Sequence, residues 1–165
     1  MSRSSFSDRA HSSKRVGVIS DTHGLLRDEA RAALAGSDLI VHAGDIGGAE
    51  VLAELRKIAP VHAVRGNNDY EAWARDVPAT ETVAVAGRRL YLLHDIDDLD
   101  IDPAAEGYAA VIFGHSHKPL AEVRDGVLYL NPGSAGPRRF RLPVAVARLA
   151  VSQDALEPHI IDLAV

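Results

Sequence analysis

Tyr108-Ala109-Ala110-Val111-Ile112-Phe113-Gly114-His115-Ser116-His117 is the stretch from which the rest of the chain is read. Its apolar run is rich in β-branched and aromatic residues and has the length of a buried strand. Gly114 lets the backbone turn, and two histidines follow with one residue between them. Imidazole is the commonest metal-ligating side chain. In an extended segment residues two apart point to the same side, so His115 and His117 can present two nitrogens to one small volume. Alone, such a pair is equally well a solvated loop. Its weight comes from the same pattern upstream, where apolar runs also finish in Asp, His or Asn.

Three such runs precede it. Arg15-Val16-Gly17-Val18-Ile19-Ser20 ends in Asp21-Thr22-His23-Gly24, Asp38-Leu39-Ile40-Val41-His42-Ala43 ends in Gly44-Asp45, and Val61-His62-Ala63-Val64 runs into Gly66-Asn67-Asn68-Asp69. Between them, residues 26–34 and 49–58 carry apolar side chains at helical spacing, closed by Gly36 and Pro60. Strand, helix, strand, helix, strand at this spacing predicts a βαβαβ unit with a parallel sheet. The second half reads differently. Residues 80–86 and 88–93 flank Gly87 as a hairpin, Pro103 opens a short helix over 102–106, and Asp125-Gly126 turns a strand over 120–124 into one over 127–130. Strands over 144–151 and 158–163 close the chain. The fold class expected is α/β, with two mixed sheets packed face to face and helices outside. Residues 1–14, polar and serine-rich, read as a disordered tail that includes His11, and 15–165 as a single domain.

Composition narrows the chemistry. The 165 residues include no cysteine, so no disulfide framework, thiolate metal site or thiol nucleophile is open to the chain. The apolar fraction of 47% and charged fraction of 25% are those of a soluble globular protein. A formal charge of −5 argues against nucleic acid as a partner, and no apolar stretch is long enough to span a bilayer. The tail has no apolar core of a secretory signal, and the expected location is cytoplasmic.

The polar residues at strand ends are Asp21, His23, Asp45, Asn67, His94, His115 and His117. In open α/β sheets ligands bind at that edge. Carboxylate, amide and imidazole without thiolate suit Mn, Fe, Zn, Co or Ni better than Ca. Taken singly, Asp21 and Asp45 are as well explained as turn residues. His42 and His62 lie inside strand patterns and read as core or sheet-face histidines, and His159 as structural or exposed. Arg138, Arg139 and Arg141 read as a solvated face, with a phosphate or partner contact as the alternative, the acidic run 95–102 as a surface loop, and Tyr70 and Trp73 as core in preference to a substrate rim.

In order and spacing, Asp21-Thr22-His23, Gly44-Asp45, Gly66-Asn67-Asn68-Asp69, Gly114-His115-Ser116-His117 and Asn131-Pro132-Gly133-Ser134 resemble the calcineurin-like metallophosphoesterases. More narrowly they resemble the small single-domain phosphodiesterases related to the scaffold subunit of retromer. The resemblance runs from about Val16 to the C-terminal end. It implies a four-layer sandwich and two divalent transition-metal ions, manganese first among the candidates. Asp21, His23 and His117 would hold one ion, and Asn67, His94 and His115 the other. Asp45 would bridge them together with a hydroxide that attacks phosphorus in line. Asp45, Asn68 and His23 are then the catalytic residues, and Asn67 and Asn68 touch substrate.

Two departures stand out. His94-Asp95-Ile96 replaces the His-Gly-His frequent in the family, which leaves Asp95 free to orient His94. Asn68 stands where larger members carry an acidic histidine, and its amide has no proton to give at neutral pH. The function implied is hydrolysis of a small phosphoester, most naturally a diester; a homo-oligomer is left open. The alternative is a retromer-subunit-like protein-binding scaffold with little or no catalysis.

Overall fold

Short apolar runs, buried along most of their length, form the central strands of two sheets that pack face to face. The computed structural model describes residues 13–165. Of the expected tail 1–14, residues 1–12 with His11 lie outside them, whereas Lys14 is already in the first strand, paired across to Val151. The first sheet has the order β10-β9-β1-β2-β3 and the second β4-β5-β6-β8-β7. In the first, β1 (Lys14–Ile19), β2 (Leu39–His42) and β3 (Val61–Ala63) run parallel, as the βαβαβ pattern requires. The C-terminal hairpin, β9 (Ala145–Val151) and β10 (Leu156–Asp162), adds antiparallel to the open side of β1. Pro158 lies inside β10, two residues past the strand's start, and is tolerated because β10 is the sheet edge. His159 on that strand is exposed.

The second sheet comes from the middle of the chain. β4 (Thr80–Val85) and β5 (Arg88–Leu93) form the expected hairpin; β6 (Ala110–Ile112) lies parallel to β5 and to β8 (Val127–Asn131), and β7 (Leu120–Arg124) pairs antiparallel with β8. Val16, Val18 and Val41 of the first sheet meet Leu90, Leu92, Ile112 and Leu130 of the second in one apolar layer. The opposite face of the first sheet, with Ile19 and Ile40, packs against α1 (Asp28–Leu34) and α2 (Ala49–Arg56) through Leu34, Leu52 and Leu55. Trp73 joins this cluster half-buried, in a 3₁₀ turn (Ala72–Asp76), whereas Tyr70, expected in the core with it, is exposed because it lies in the loop ahead of that turn.

The outer face of the second sheet departs from expectation. Tyr91, Leu93, Val111 and Phe113 are covered by Ile96, Leu99 and Ile101 from a loop containing one 3₁₀ turn (Ile96–Asp98), not by an α-helix. The expected helix over 102–106 is a single turn, closed by Glu106 N–H to the Asp102 carbonyl at 3.0 Å and stopped at Gly107 with φ +79°. Asp102 caps the turn by accepting from Ala105 N–H at 3.2 Å, but with Gly107 stopping it after one turn it is too short to propagate.

Candidate metal centre

The carboxyl ends of both sheets open onto the same edge of the sandwich, and there the backbone is held in an uncommon conformation. Asp21 (φ 55°), His23 (φ 48°), Asp45 (φ 54°), His115 (φ 68°) and His117 (φ 63°) all lie in the left-handed region. Few non-glycine residues do so, and such outliers gather where surrounding bonds over-determine the backbone. Here those bonds are a ladder between two loops: Asp21 N–H to Gly44 O at 2.9 Å, His23 N–H to Asp45 O at 2.9 Å and Gly24 N–H to Ile46 O at 2.8 Å. Gly114 is required because a β-carbon there would run into Ser20 and Asp21.

Each carboxylate is anchored on the frame. Asp21, fully buried, accepts at Oδ2 from the Ser20 hydroxyl (2.6 Å) and the His115 N–H (3.1 Å). Its Oδ1 has no hydrogen-bond partner. Around that oxygen stand His117 Nε2 at 3.3 Å, His23 Nε2 at 3.8 Å and His94 Nε2 at 3.9 Å. Asp45 accepts from the Asn68 N–H at Oδ1 (2.9 Å) and from Asn68 Nδ2 at Oδ2 (3.0 Å). The same Oδ2 faces His94 Nε2 at 3.3 Å and His23 Nε2 at 3.8 Å. Burial works to raise both carboxyl pKa values. For Asp21 the contacts with His117 and Ser20 outweigh it, and for Asp45 those with His94 and Asn68, so both stay below the ordinary value.

The tautomer of His94 follows from its partner. Nδ1 lies 2.8 Å from the Ala43 carbonyl, which can only accept, so Nδ1 carries the proton and Nε2 offers a lone pair. That lone pair points at two carboxylates and lies 3.3 Å from His115 Nδ1. Such a focus of lone pairs requires a cation, either a proton or a metal. Without a metal it is a proton: burial would lower the His94 pKa, but the Asp45 contact and the Asp21 and Asp45 charges raise it above the ordinary value. Two ligand groups emerge, Asp21 with His23 and His117, and Asp21 with Asp45 and His94, their donor atoms all within 4.8 Å of one another. An unpartnered buried carboxylate oxygen ringed by imidazole nitrogens suits divalent cations. Asp21 belongs to both groups, while Asp45 reaches His23 and His94 alike.

The remaining expected residues sit nearby. His115 is half-exposed, with Nε2 at 3.7 Å from Asp95 Oδ2, so Asp95 faces His115 instead of His94, which the Ala43 carbonyl orients. Asn67 lines a hollow of about 260 Å³ together with His94 and Asp95. The Asn68 amide, expected at the substrate, holds Asp45.

Sequence reading gave Asp69 no role of its own, and read His42 as a core or sheet-face histidine and Asn131 as part of a turn; in the structure all three hold this arrangement. Asp69, buried, accepts from the N–H groups of Ile46 (3.0 Å), Gly47 (3.1 Å) and Gly66 (2.9 Å), pinning the Asp45 loop to the Asn67 loop. His42 accepts at Nδ1 from Gly44 N–H (3.1 Å), so Nε2 donates to Thr22 Oγ1 (3.0 Å), which donates to the Ile46 carbonyl (2.7 Å). Burial pushes the His42 pKa down to about 4, the charges of Asp21 and Asp69 offsetting part of this. Asn131 Nδ2 donates to Gly114 O (3.0 Å) and Ser116 Oγ (3.1 Å). The available signal was a polar residue inside an apolar strand, as with His42, and the last residue of the Gly66–Asp69 block.

Comparison with known proteins identifies the family. Residues 15–154 match the calcineurin-like phosphoesterase superfamily domain. A probable metallophosphoesterase of Bacillus subtilis is 34% identical, over 90% of this chain and 91% of its own. A phosphodiesterase of Escherichia coli is 31% identical, over 73% of this chain and 78% of its own. Among solved structures, vacuolar protein sorting 29 of Cryptosporidium parvum superposes with a TM-score of 0.74 at 19% identity, covering 91% of this chain and 97% of that one; this is a likeness of fold. The two-sheet sandwich, the matched span and the named relatives lead to one conclusion: the chain belongs to the calcineurin-like phosphoesterase superfamily and is a metallophosphoesterase.

Proposed function

We propose that the chain is a phosphodiesterase that works with two divalent cations, manganese first among them, on small phosphoesters in the cytoplasm, with 15–165 as one catalytic domain. The observation that carries this reading is Asp21 Oδ1, buried, without a hydrogen-bond partner, and ringed by His117, His23 and His94. Asp21, His23 and His117 would hold one ion; Asn67, His94 and His115, with Asp45 between, would hold the other. When bound, such a pair lowers the pKa of a bridging water and neutralises charge on a phosphoryl group.

The chain's own part is to fix negative charge and lone pairs at one point. Asn68 holds both oxygens of Asp45 and keeps that carboxylate turned toward His23 and His94. The Ala43 carbonyl holds the His94 proton on Nδ1. Asn68 supplies no acid, so a departing oxygen must leave with little protonation from that position. This favours esters of acidic alcohols and phenols.

A protein-binding scaffold is the other reading, and it rests on the likeness of fold to vacuolar protein sorting 29. Completeness of the ligand set speaks for the enzyme. The deciding assay offers bis(p-nitrophenyl) phosphate and p-nitrophenyl phosphate with Mn, Ni, Zn or Mg. Hydrolysis of the diester ahead of the monoester is expected. A folded, metal-loaded protein that hydrolyses neither would overturn the proposal. Among the described residues no helix is long and apolar enough to cross a membrane.

A further inference from the structure

The two flanks of the metal centre carry opposite charge. Beside His94 and Asn67, the hollow includes Asp95 and Asp98 against a single cation, Arg65, whose guanidinium is bonded to the Val77 carbonyl at 2.9 Å, so its net charge is negative. Beside His117 lies a groove of about 630 Å³ lined by Ser116, Lys118, Arg139, Phe140, Arg141 and Leu142. Its lining holds three cations and no acid, in a chain of net charge −5. Among the described residues, ion pairs of Lys and Arg engage Arg31, Lys57 and Arg124; Lys118, Arg139 and Arg141 make none.

The groove is tied to the site by its two walls. One wall is the ligand loop itself, since Ser116 separates His115 from His117 and Lys118 follows His117. Ser116 Oγ accepts from Asn131 Nδ2 (3.1 Å) and from Lys118 N–H (3.2 Å), which leaves its own proton to donate outward. The other wall is the loop between Ser134 and Val144, whose ends are closed by a β-bridge. The root of that loop is bonded to the backbone around the first ligand: Ser134 Oγ–H to Asp21 O at 3.0 Å and Ala135 N–H to Ser20 O at 3.0 Å. A β-carbon on Gly136 would collide with the Asp21 and Thr22 carbonyls, so the contact is close. At the loop's tip Phe140 is 89% exposed and lies in the left-handed region with φ 54°. An uncovered aromatic ring on a strained backbone is doubly unfavourable, and such features persist chiefly at ligand sites.

We propose that this groove is a second anion-binding subsite of the substrate. It takes a phosphate that is not cleaved on Arg139, Arg141, Lys118 and the Ser116 hydroxyl, and a planar base on Phe140. The substrate class is then a nucleotide-type phosphodiester bearing an additional phosphate. Guanidinium groups match phosphate oxygens in pairs and Lys adds a point charge; aromatic faces stack bases of any identity. Asp95 and Asp98 would repel the same phosphate on the opposite flank, so the uncleaved phosphate lies on the His117 side. This inference rests on the phosphodiesterase reading.

The test uses two matched esters, the p-nitrophenyl ester of thymidine 5′-phosphate with and without a 3′-phosphate, assayed with the manganese-loaded protein. The scissile bond and leaving group are identical. The wild-type protein is expected to favour the 3′-phosphorylated ester by about tenfold or more in kcat/KM, mostly through KM, as hydrogen bonds to a charged group imply. The double variant Arg139→Ala, Arg141→Ala should bring that ratio close to one, with Arg139→Lys, Arg141→Lys between. Phe140→Ala should weaken both esters alike and leave the ratio standing. A wild-type ratio of one or less, or a ratio that the double alanine variant does not change, would overturn the subsite. If neither ester nor bis(p-nitrophenyl) phosphate is hydrolysed, the phosphodiesterase reading fails separately. Calorimetric binding of thymidine 3′,5′-bisphosphate to the purified protein then decides the subsite: weaker binding in the double alanine variant supports it, and equal binding overturns it.

Discussion

The two halves of the molecule bring different chemistry to one edge. The parallel β1-β2-β3 half supplies both buried carboxylates, Asp21 and Asp45, together with His23. The second sheet supplies imidazoles alone, His94, His115 and His117. They are also held differently. Each carboxylate is fixed by donors of the frame, from Ser20 and the His115 backbone in one case and Asn68 in the other, and Asp69 locks the loops beneath. Among the imidazoles, His94 leans on the Ala43 carbonyl of the first half, and His117 Nδ1 has no partner. A buried negative charge is costly unless several fixed donors satisfy it. A neutral imidazole needs one orienting bond. The first half therefore sets where charge sits, and the second aims nitrogens at it.

The largest expected effect comes from removing charge on the first half. Asp45→Asn should lower turnover by well over the ~10–100-fold typical of losing an outer partner of a metal ligand, and weaken both ions, with the fold retained by circular dichroism. Near-normal turnover with two ions bound would contradict the role given to Asp45. Asn68→Ala leaves the carboxylate in place but frees it; a loss of about 10–100-fold in metal affinity or activity is expected, read by metal titration. Unchanged metal affinity would mean that Asn68 does not position Asp45.

Asp69→Asn tests the lock under the first half. It weakens three backbone hydrogen bonds to a buried charge, and a loss of about 2–3 kcal/mol in urea unfolding is expected, with metal affinity falling as well. Loss of stability with metal affinity intact would confine Asp69 to a purely structural role.

The smallest effect at neutral pH, but one that separates the halves by sign, is titration of the metal-free protein. The folded-state pKa of His42, about 4, lies below its unfolded value near 6.5. Stability from keeping it neutral is therefore complete above about 6.5 and is lost as pH falls toward 4, by up to about 3 kcal/mol at the order-of-magnitude level. His94 works the other way. Its folded pKa is raised, so its contribution is full below about 6.5 and lost as pH rises through the folded value. In chelator-treated protein, His42→Gln should flatten the acid slope and His94→Gln the slope above neutrality. The same slope lost in both variants would contradict the assignment.

How far the sequence could be read divides along the same line. The βαβαβ half was legible because apolar runs, helical spacing and glycine stops agree, and with them the convergence of Asp21, His23 and Asp45 at the strand ends. The outer cover of the second sheet was not, because Asp102 and Pro103 make a true helix start that Gly107 ends after one turn, leaving the cover to a loop. That Asn68 faces Asp45, and that Asp95 faces His115, depends on loop geometry over which side-chain type is silent. His42 looked like a sheet-face residue, and its bonds to Gly44 and Thr22 appear only once β1 and β2 are paired.

The proposed centre brings the carboxylates Asp21 and Asp45 of the first half together with imidazoles of both halves around two cations. Diffraction from manganese-loaded crystals at the metal's absorption edge, with elemental analysis of the same protein, tests it most directly. Two anomalous peaks per chain are predicted, Asp45 in contact with both, and His23 and His117 on one, His94 and His115 on the other. An ordered cluster of Asp21, Asp45, His94 and His117 with no anomalous density after manganese soaking would contradict it.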